Sequence, residues 1–350
     1  MNETLLPCSD HVGSILFGLQ ELGASPISYT MIDVLNLTKD FGDFRAVNNV
    51  SFSVECGQVL GFLGPNGAGK STSMKMITGY LRPTSGTALI NGIDICLEPL
   101  RAQQSMGYLP EGAPAWPDMT PRQFLDFVTR IRGLDKAAAR SATHRAINMT
   151  ELHGVLDQPI ETLSKGFRRR VGLAQAIVHD PDILIMDEPT DGLDPNQKHQ
   201  VRAAILEMAR TKAIIISTHI LEEVDAICTR AMIIDRGRVV VEGTPSALAA
   251  RSAYHGAVIV TAGSENAASL ATQLETLADI RIEHEARGAE AIFRILSADG
   301  SSETPTALFA RVQALVDQRS DAIIGLALEA GRLDDVFRDL TRGAETGAAR

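Results

Sequence analysis

The stretch Val59-Leu60-Gly61-Phe62-Leu63-Gly64-Pro65-Asn66-Gly67-Ala68-Gly69-Lys70-Ser71-Thr72 decides how this chain is read. Its first five residues are apolar, which predicts a strand buried on both faces, as in a parallel sheet. A glycine-rich loop follows, and the segment Met74 to Leu81 then has a helical period. The loop fits G-x-x-x-x-G-K-[ST] in the strand-loop-helix context that gives the motif its meaning. Glycines let the backbone turn so tightly that successive amides face one anion, and the helix N-terminus adds roughly half a positive charge. Gly64, Pro65, Asn66, Gly67, Ala68, Gly69, Lys70, Ser71 and Thr72 are therefore expected to cradle the phosphates of a nucleotide. Lys70 is expected on the β- and γ-phosphates and the Ser71 hydroxyl on magnesium. A glycine turn that merely starts a helix is the competing reading.

A second apolar run, Ile183-Leu184-Ile185-Met186, ends in Asp187-Glu188-Pro189. Carboxylates at the end of a buried parallel strand stand where such sheets bind ligands. Asp187 fits a magnesium anchor, direct or through water. Glu188 fits the group that polarises an attacking water, since adjacent strand-end acids can face the metal and the γ-phosphate separately. Without the phosphate loop, the same pair would read as ordinary solvated acids.

Composition narrows the classes. The chain has 350 residues, 45% hydrophobic and 22% charged, with a formal net charge of -10. Its length predicts one large domain and a smaller one. The negative field disfavours nucleic acid as a partner. The four cysteines, Cys8, Cys56, Cys96 and Cys228, have no C-x-x-C spacing, so neither a zinc cluster nor a disulfide framework is expected. No apolar run reaches the roughly 18 to 20 residues needed to cross a bilayer. Residues 1 to 30 carry no basic stretch ahead of Ile15 to Leu19, which argues against a signal peptide; they read as an extension, with Met31 an alternative start.

From Met31 to about residue 245, strand-like runs alternate with helical periods, the pattern of an α/β domain. Ser51-Phe52-Ser53-Val54 alternates as a two-faced antiparallel strand does, whereas Val59 to Leu63, Ile183 to Met186 and Ala213 to Ile216 suit a central sheet. Leu248 to Ser252 reads as the end of a helix. A second domain is expected over 253 to 345. Strands at Ala257 to Thr261, Ile280 to Glu283, Ala291 to Leu296 and Ile323 to Leu328, with helices at 265 to 277 and 305 to 317, give it a β-α-β-β-α-β, ferredoxin-like order.

Further motifs then appear in a familiar sequence. Leu163-Ser164-Lys165-Gly166-Phe167, Asp191-Gly192-Leu193-Asp194 and Ser217-Thr218-His219 follow one another around the carboxylate strand. Over about residues 31 to 245 the chain resembles the nucleotide-binding domain of ABC transporters, whose signature is L-S-G-G-Q. The resemblance implies a P-loop NTPase with a RecA-like core, an antiparallel β layer and a helical subdomain at about 112 to 180. It implies ATP and Mg2+ as cofactors and two cassettes closing head to tail. Ser164 and Gly166 of one copy, with Asp194 in the D-loop, would then meet the nucleotide held by the other. His219 would contact the γ-phosphate, and Phe41 stands where the family stacks an aromatic ring on adenine; a core residue is the alternative for Phe41. The run Arg168 to Arg170 reads as a solvated helix face, with contact to nucleotide or a partner as the alternative.

Lys165 and Phe167 depart from the family signature, and Glu111, in Tyr108-Leu109-Pro110-Glu111, stands where the family has a glutamine. A carboxylate can ligate magnesium but cannot donate an amide hydrogen bond, so Glu111 reads as metal-proximal, with a surface acid as the alternative. This variation, with Gly112-Ala113-Pro114-Ala115-Trp116-Pro117-Asp118-Met119, resembles the branch serving ABC-2-type exporters. Trp116 is there either an anchor for a membrane subunit or a residue packed in its own subdomain. The terminal Leu333-Asp334-Asp335-Val336-Phe337 resembles the end of that branch's appended domain. The expected protein is an ATPase, homodimeric or paired with a homologous subunit. It would drive an integral membrane permease on a separate chain from the cytoplasmic face of the membrane. The competing function is a soluble ABC ATPase acting on ribosomes or DNA.

Overall fold

A computed structural model of the protein describes residues 30–113, 115–298, 303–317 and 323–341. The expected extension over 1 to 30 therefore lies outside the described residues, apart from Thr30. The chain divides into two compact units, Met1–Pro245 and Ser246–Arg350.

In the first unit β1 (Thr30–Phe41) and β2 (Phe44–Glu55) form a hairpin, and β3 (Val59–Leu63) runs through the glycine loop into α1 (Lys70–Ile77). Next come β4 (Ser85–Ile90), β5 (Ile93–Asp94), α2 (Pro99–Gln104) and β6 (Met106–Leu109). Three helices follow: α3 (Pro121–Ile131), α4 (Lys136–Thr150) and α5 (Lys165–Ile177). The unit closes with β7 (Ile183–Asp187), α6 (Pro195–Ala209), β8 (Ala213–Thr218), α7 (Leu221–Ile227), β9 (Arg230–Asp235) and β10 (Arg238–Gly243).

Two sheets result. One is antiparallel, in the order β2-β1-β4-β5; the other has the order β10-β9-β3-β8-β7-β6. In the second sheet β9, β3, β8, β7 and β6 run parallel, and only β10 is antiparallel to its neighbour. Every residue of β3, β7 and β8 is buried, as their uninterrupted apolar runs require. Strand β2 instead alternates at Ser51-Phe52-Ser53-Val54, with Phe52 and Val54 buried. Phe52 meets Phe62 of β3 at a ring separation of 5.5 Å, so the two sheets share a core. Because the parallel strands point one way, the chain segments that follow β3, β6, β7 and β8 gather at a single edge. This is the RecA-like core and antiparallel layer that the resemblance implies.

Helix α1 begins at Lys70 rather than at Met74 and ends at Ile77, not Leu81. Lys70, Ser71 and Thr72 form its first turn, because the free amides there are what the loop presents. The three-helix layer is held by apolar residues such as Phe124, Leu125, Ala146, Ile147 and Val171. Its helices start where side chains can cap them. Thr120 and Gln123 form a reciprocal capping box at α3, Asp135 caps α4 and Ser164 caps α5. Gly107 in β6 allows α5 to approach, since a Cβ there would lie 2.1 Å from the Ala176 carbonyl oxygen.

The second unit contains α8 (Pro245–Ala249), of which Pro245 closes the first unit. The helix ends three residues before the expected Ser252 because its stop falls at Ala249. Then come β11 (Val258–Gly263), α9 (Ala267–Leu274), β12 (Ile280–Arg287), β13 (Glu290–Ser297), α10 (Pro305–Val316), β14 (Ile323–Leu328) and α11 (Leu333–Thr341). The sheet order is β12-β13-β11-β14 with every neighbouring pair antiparallel. Strand β13 thus splits the β11-α9-β12 unit, which is the ferredoxin-like arrangement. Val258, Val260, Leu270, Phe293 and Val312 form its core.

Beyond α5, the His179 Nε2 donates to the Met106 carbonyl at 3.0 Å while Nδ1 is buried without a partner. Burial, helped by the positive charge of Arg132, pushes this imidazole down to about 4. The unfolded chain takes up the proton near the ordinary value of about 6.5. Between those values the unfolded state holds the extra proton, so stability is expected to fall as pH drops from 6.5 toward 4. Urea titrations at pH 7, 5.5 and 4.5 should reveal that slope, and His179→Gln should flatten it.

Candidate nucleotide-binding and catalytic site

The glycine loop is clamped from two sides. A Cβ at Gly64 would lie 2.4 Å from the Ile234 carbonyl oxygen, and one at Gly69 would lie 2.5 Å from that of Ala46. Gly69 also has φ +101, in the left-handed region that side chains resist. Lys70 is buried, and its Nζ donates to the carbonyls of Gly64 at 2.7 Å and Pro65 at 3.1 Å. Burial lowers the pKa of this ammonium, and the negative charges of Glu188, Asp187 and Glu111 work against that lowering. The ammonium therefore feels all three acids, Glu111 among them although its side chain is exposed. An anion at the loop would supply the counter-charge that neutral carbonyls cannot.

Asp187, 1% exposed, ends β7. Its Oδ1 accepts a short hydrogen bond from the Ser217 hydroxyl of β8, while its Oδ2 is buried with no partner. A buried carboxylate oxygen without a donor is costly, and a cation would relieve it. No group of three His, Cys, Asp or Glu side chains among the described residues could by itself hold a metal. Magnesium takes one or two protein oxygens and completes its shell with phosphate and water, and the unpaired Asp187 oxygen fits such a site. Asp187, the Ser71 hydroxyl and Glu111 are the residues that would hold it.

Glu188, next in the chain, has φ +52, a strained value for a residue with a side chain. Its N–H donates to the Ser217 carbonyl at 2.9 Å, and its Oε1 lies 2.8 Å from His219 Nδ1. The β7 and β8 ends thus deliver a carboxylate and an imidazole as a contacting pair beside the loop. Buried Thr218 supports that corner by donating to Glu223 at 2.9 Å.

The signature residues form a separate cluster. Ser164 Oγ accepts from the Phe167 N–H at 3.3 Å, and a Cβ on Gly166 would meet Gln197 Oε1 at 2.5 Å. Lys165 Nζ pairs with Asp191 Oδ2 at 2.8 Å, and Asp194 caps α6 by accepting from the Gln197 N–H at 2.9 Å. No hydrogen bond among the described residues ties Ser164, Gly166 or Asp194 to the loop over Gly64–Thr72. Phe41 is 50% exposed at the end of β1, with Lys39 Nζ 5.2 Å from its ring centroid, so the core reading of Phe41 fails and a free aromatic face remains.

The reading of Arg168 to Arg170 as a solvated face is corrected. Arg168 is exposed, but Arg169 and Arg170 are both 5% exposed. Arg170 donates to the carbonyls of Thr150 and Glu151, capping the end of α4. Arg169 reaches the carboxylate turn itself, donating to Pro110 at 2.8 Å, to Glu188 at 2.6 Å and, in a short contact, to Asp187, all through backbone oxygens. The spacing held a signal for this. Arg169 lies three residues after Gly166 and four before Leu173, on the face of α5 that is buried.

A phosphate-type loop, a strand-end acid pair and a histidine facing the second acid define a P-loop nucleoside triphosphatase of the cassette kind. Comparison with known proteins agrees. A family profile described as ABC transporter matches residues 47–191. The Nod factor export ATP-binding protein I of Burkholderia orbicola (strain AU 1054) is 40% identical over 223 residues, 63% of this chain and 73% of that protein. The probable multidrug ABC transporter ATP-binding protein YbhF of Escherichia coli (strain K12) is 37% identical over 225 residues, 64% of this chain and 39% of that longer one. Among solved structures, an ATP-binding subunit of an ABC transporter aligns with TM-score 0.59 and 29% identity, covering 63% of this chain and 92% of that one. The cbiO1 subunit of Clostridium perfringens, part of the cbiONQ transporter complex, aligns with TM-score 0.57 and 28% identity, covering 63% and 91%. This chain belongs to the ABC transporter family as an ATP-binding, ATP-hydrolysing subunit.

Ser217→Ala would leave both oxygens of buried Asp187 without a side-chain donor. A loss of about 1–3 kcal/mol in unfolding free energy is expected in nucleotide-free protein, measured by urea denaturation.

Proposed function

We propose that two copies of this chain, or one copy and a homologous subunit, close head to tail around two ATP molecules and drive an integral membrane permease carried on another chain. The observation that carries the hydrolytic part is the 2.8 Å pair between Glu188 and His219 beside buried Lys70. Lys70 and the loop amides hold the phosphates, and Phe41 offers its free ring face to the adenine. Magnesium, held by Ser71 and Asp187 with Glu111 nearby, would neutralise charge on the phosphates. Glu188 polarises the attacking water, and His219 holds that carboxylate in place while its own ring contacts the γ-phosphate. Ser164 and Gly166, at the amide end of α5, cap the terminal phosphate of the ATP on the opposite copy. They stand in a cluster with Lys165, Asp191 and Gln197, which this arrangement turns toward the opposite copy.

Export of the ABC-2 type is the direction we favour. The relatives named above carry export and multidrug names, and Trp116 supports a docking role. Its ring is 53% exposed yet braced edge-on against Phe127 at 4.9 Å and tilted against Phe124 at 5.9 Å. A rigid, half-exposed aromatic loses little freedom on binding. No helix among the described residues is long and apolar enough to cross a membrane; the seat proposed here is peripheral, on the cytoplasmic face beneath a separate permease.

Glu188→Gln keeps the shape of the side chain but removes the base. Turnover is expected to fall about 10²–10⁴-fold while ATP binding persists and an ATP-bound dimer accumulates on size exclusion. Wild-type turnover in that variant would exclude the base role. Affinity capture of the native protein from detergent-solubilised membranes should bring down an integral membrane protein; capture of ribosomes or DNA instead would favour the soluble alternative.

A further inference from the structure

Three oxygens from two motif segments converge on one guanidinium that the sequence left on the surface. Arg169, 5% exposed, donates through Nη1 to the Pro110 carbonyl and through Nη2 to the carbonyls of Asp187 and Glu188. Pro110 precedes Glu111, and Asp187 and Glu188 end β7. The same side chain feels the charges of Asp187, Asp191, Glu188 and Glu111, so it is a resident cation within the acidic cluster.

Glu188 needs such a holder. Its backbone sits at φ +52, a conformation that persists only where the surroundings enforce it. The restraints on that peptide are its N–H bond to Ser217, the acceptance by its carbonyl of the Asp191 N–H at 3.1 Å, and Arg169. Only Arg169 comes from α5, whose N-terminus carries Ser164 and Gly166. Five residues separate Ser164 from Arg169, about 7.5 Å along a rigid helix. A displacement of the signature end therefore reaches the Glu188 turn through a short, stiff element. An arginine suits this task because its planar fork presents five donors, enough for three acceptors from two directions, whereas a glutamine amide has two.

We propose that Arg169 is a positioning residue for hydrolysis, which fixes the Glu188 turn and links it to the signature end of α5 and to the segment of Glu111. The proposal rests on the hydrolytic reading given above and adds to it a residue that acts through the Glu188 turn.

The test uses the full-length chain as wild type, Arg169→Lys and Arg169→Gln, with steady-state ATPase rates, the Kd of a fluorescent ATP analogue and thermal melts. A wild type without magnesium-dependent ATPase activity would mean that the hydrolytic reading has failed, independently of Arg169. With an active wild type, Arg169→Gln is expected to lower kcat roughly 10- to 100-fold, the scale on which misplaced catalytic groups act. Nucleotide Kd measured without magnesium should change less than about twofold, because Arg169 bonds no loop residue, and Arg169→Lys should recover part of kcat. Unchanged kcat in a folded Arg169→Gln protein overturns the proposal, as does a rise in Kd that accounts for the lost activity. A lysine variant no better than the glutamine one overturns it too. So does loss of the cooperative melt in both, since the guanidinium would then hold the fold and not the turn.

Discussion

Lys70 and Asp187 are buried at one edge of a parallel sheet with fewer partners than their charges demand. The ammonium has only loop carbonyls, and one carboxylate oxygen has nothing. A folded protein keeps such groups only where packing over-determines them, and here the packing is plain. Strands β3, β7 and β8 are buried along their whole length, so their ends cannot shift to let the charges reach water. The fold therefore confines charges of the signs that a nucleotide phosphate and a cation would match.

The same confinement explains why the neighbouring chain turns as it does. Directly after Asp187 the backbone enters the left-handed region at Glu188, and Ser217 serves both residues, with its hydroxyl on Asp187 and its carbonyl on the Glu188 amide. Two adjacent acids thereby acquire different environments: Asp187 is sealed, while Glu188 reaches His219. In the proposed reading, the first would face a metal and the second a water. A regular strand continuation would instead have alternated them to opposite faces of the sheet.

Much of this was legible in the residues because it depends on local rules. The apolar runs of β3, β7 and β8, the glycine loop and the strand-end acids each constrain the backbone within a few positions, and the β-α-β-β-α-β order of the second unit followed from period alone. What stayed hidden depends on three-dimensional convergence. Three successive arginines look solvated by composition, yet α5 turns Arg169 and Arg170 inward on either side of its buried face. The start of α1 escapes an apolar-period reading for a similar reason. Lys70, Ser71 and Thr72 carry no apolar period, and their turn starts from Gly69 of the loop, the N-cap at φ +101.

The two departures within the signature gain a physical account from the same helix. Phe167 occupies the fifth position, and its ring packs against the three-helix core with the Arg170 guanidinium 4.2 Å from its centroid. That position thus serves packing and orders Arg170 over the end of α4. Lys165 pairs with Asp191, whose carboxyl is held below its usual range first by that hydrogen bond. Gly192 beside it leaves the room, since a Cβ there would meet the Lys165 side chain at 2.5 Å. The lysine thereby ties the signature to the turn after Glu188 from outside, while Arg169 ties the same helix to that turn from within. An exposed pair of this kind adds little stability. Its consequence is geometric: the two ties flank one helix and join its N-terminal turn to the turn at Glu188 and Asp191.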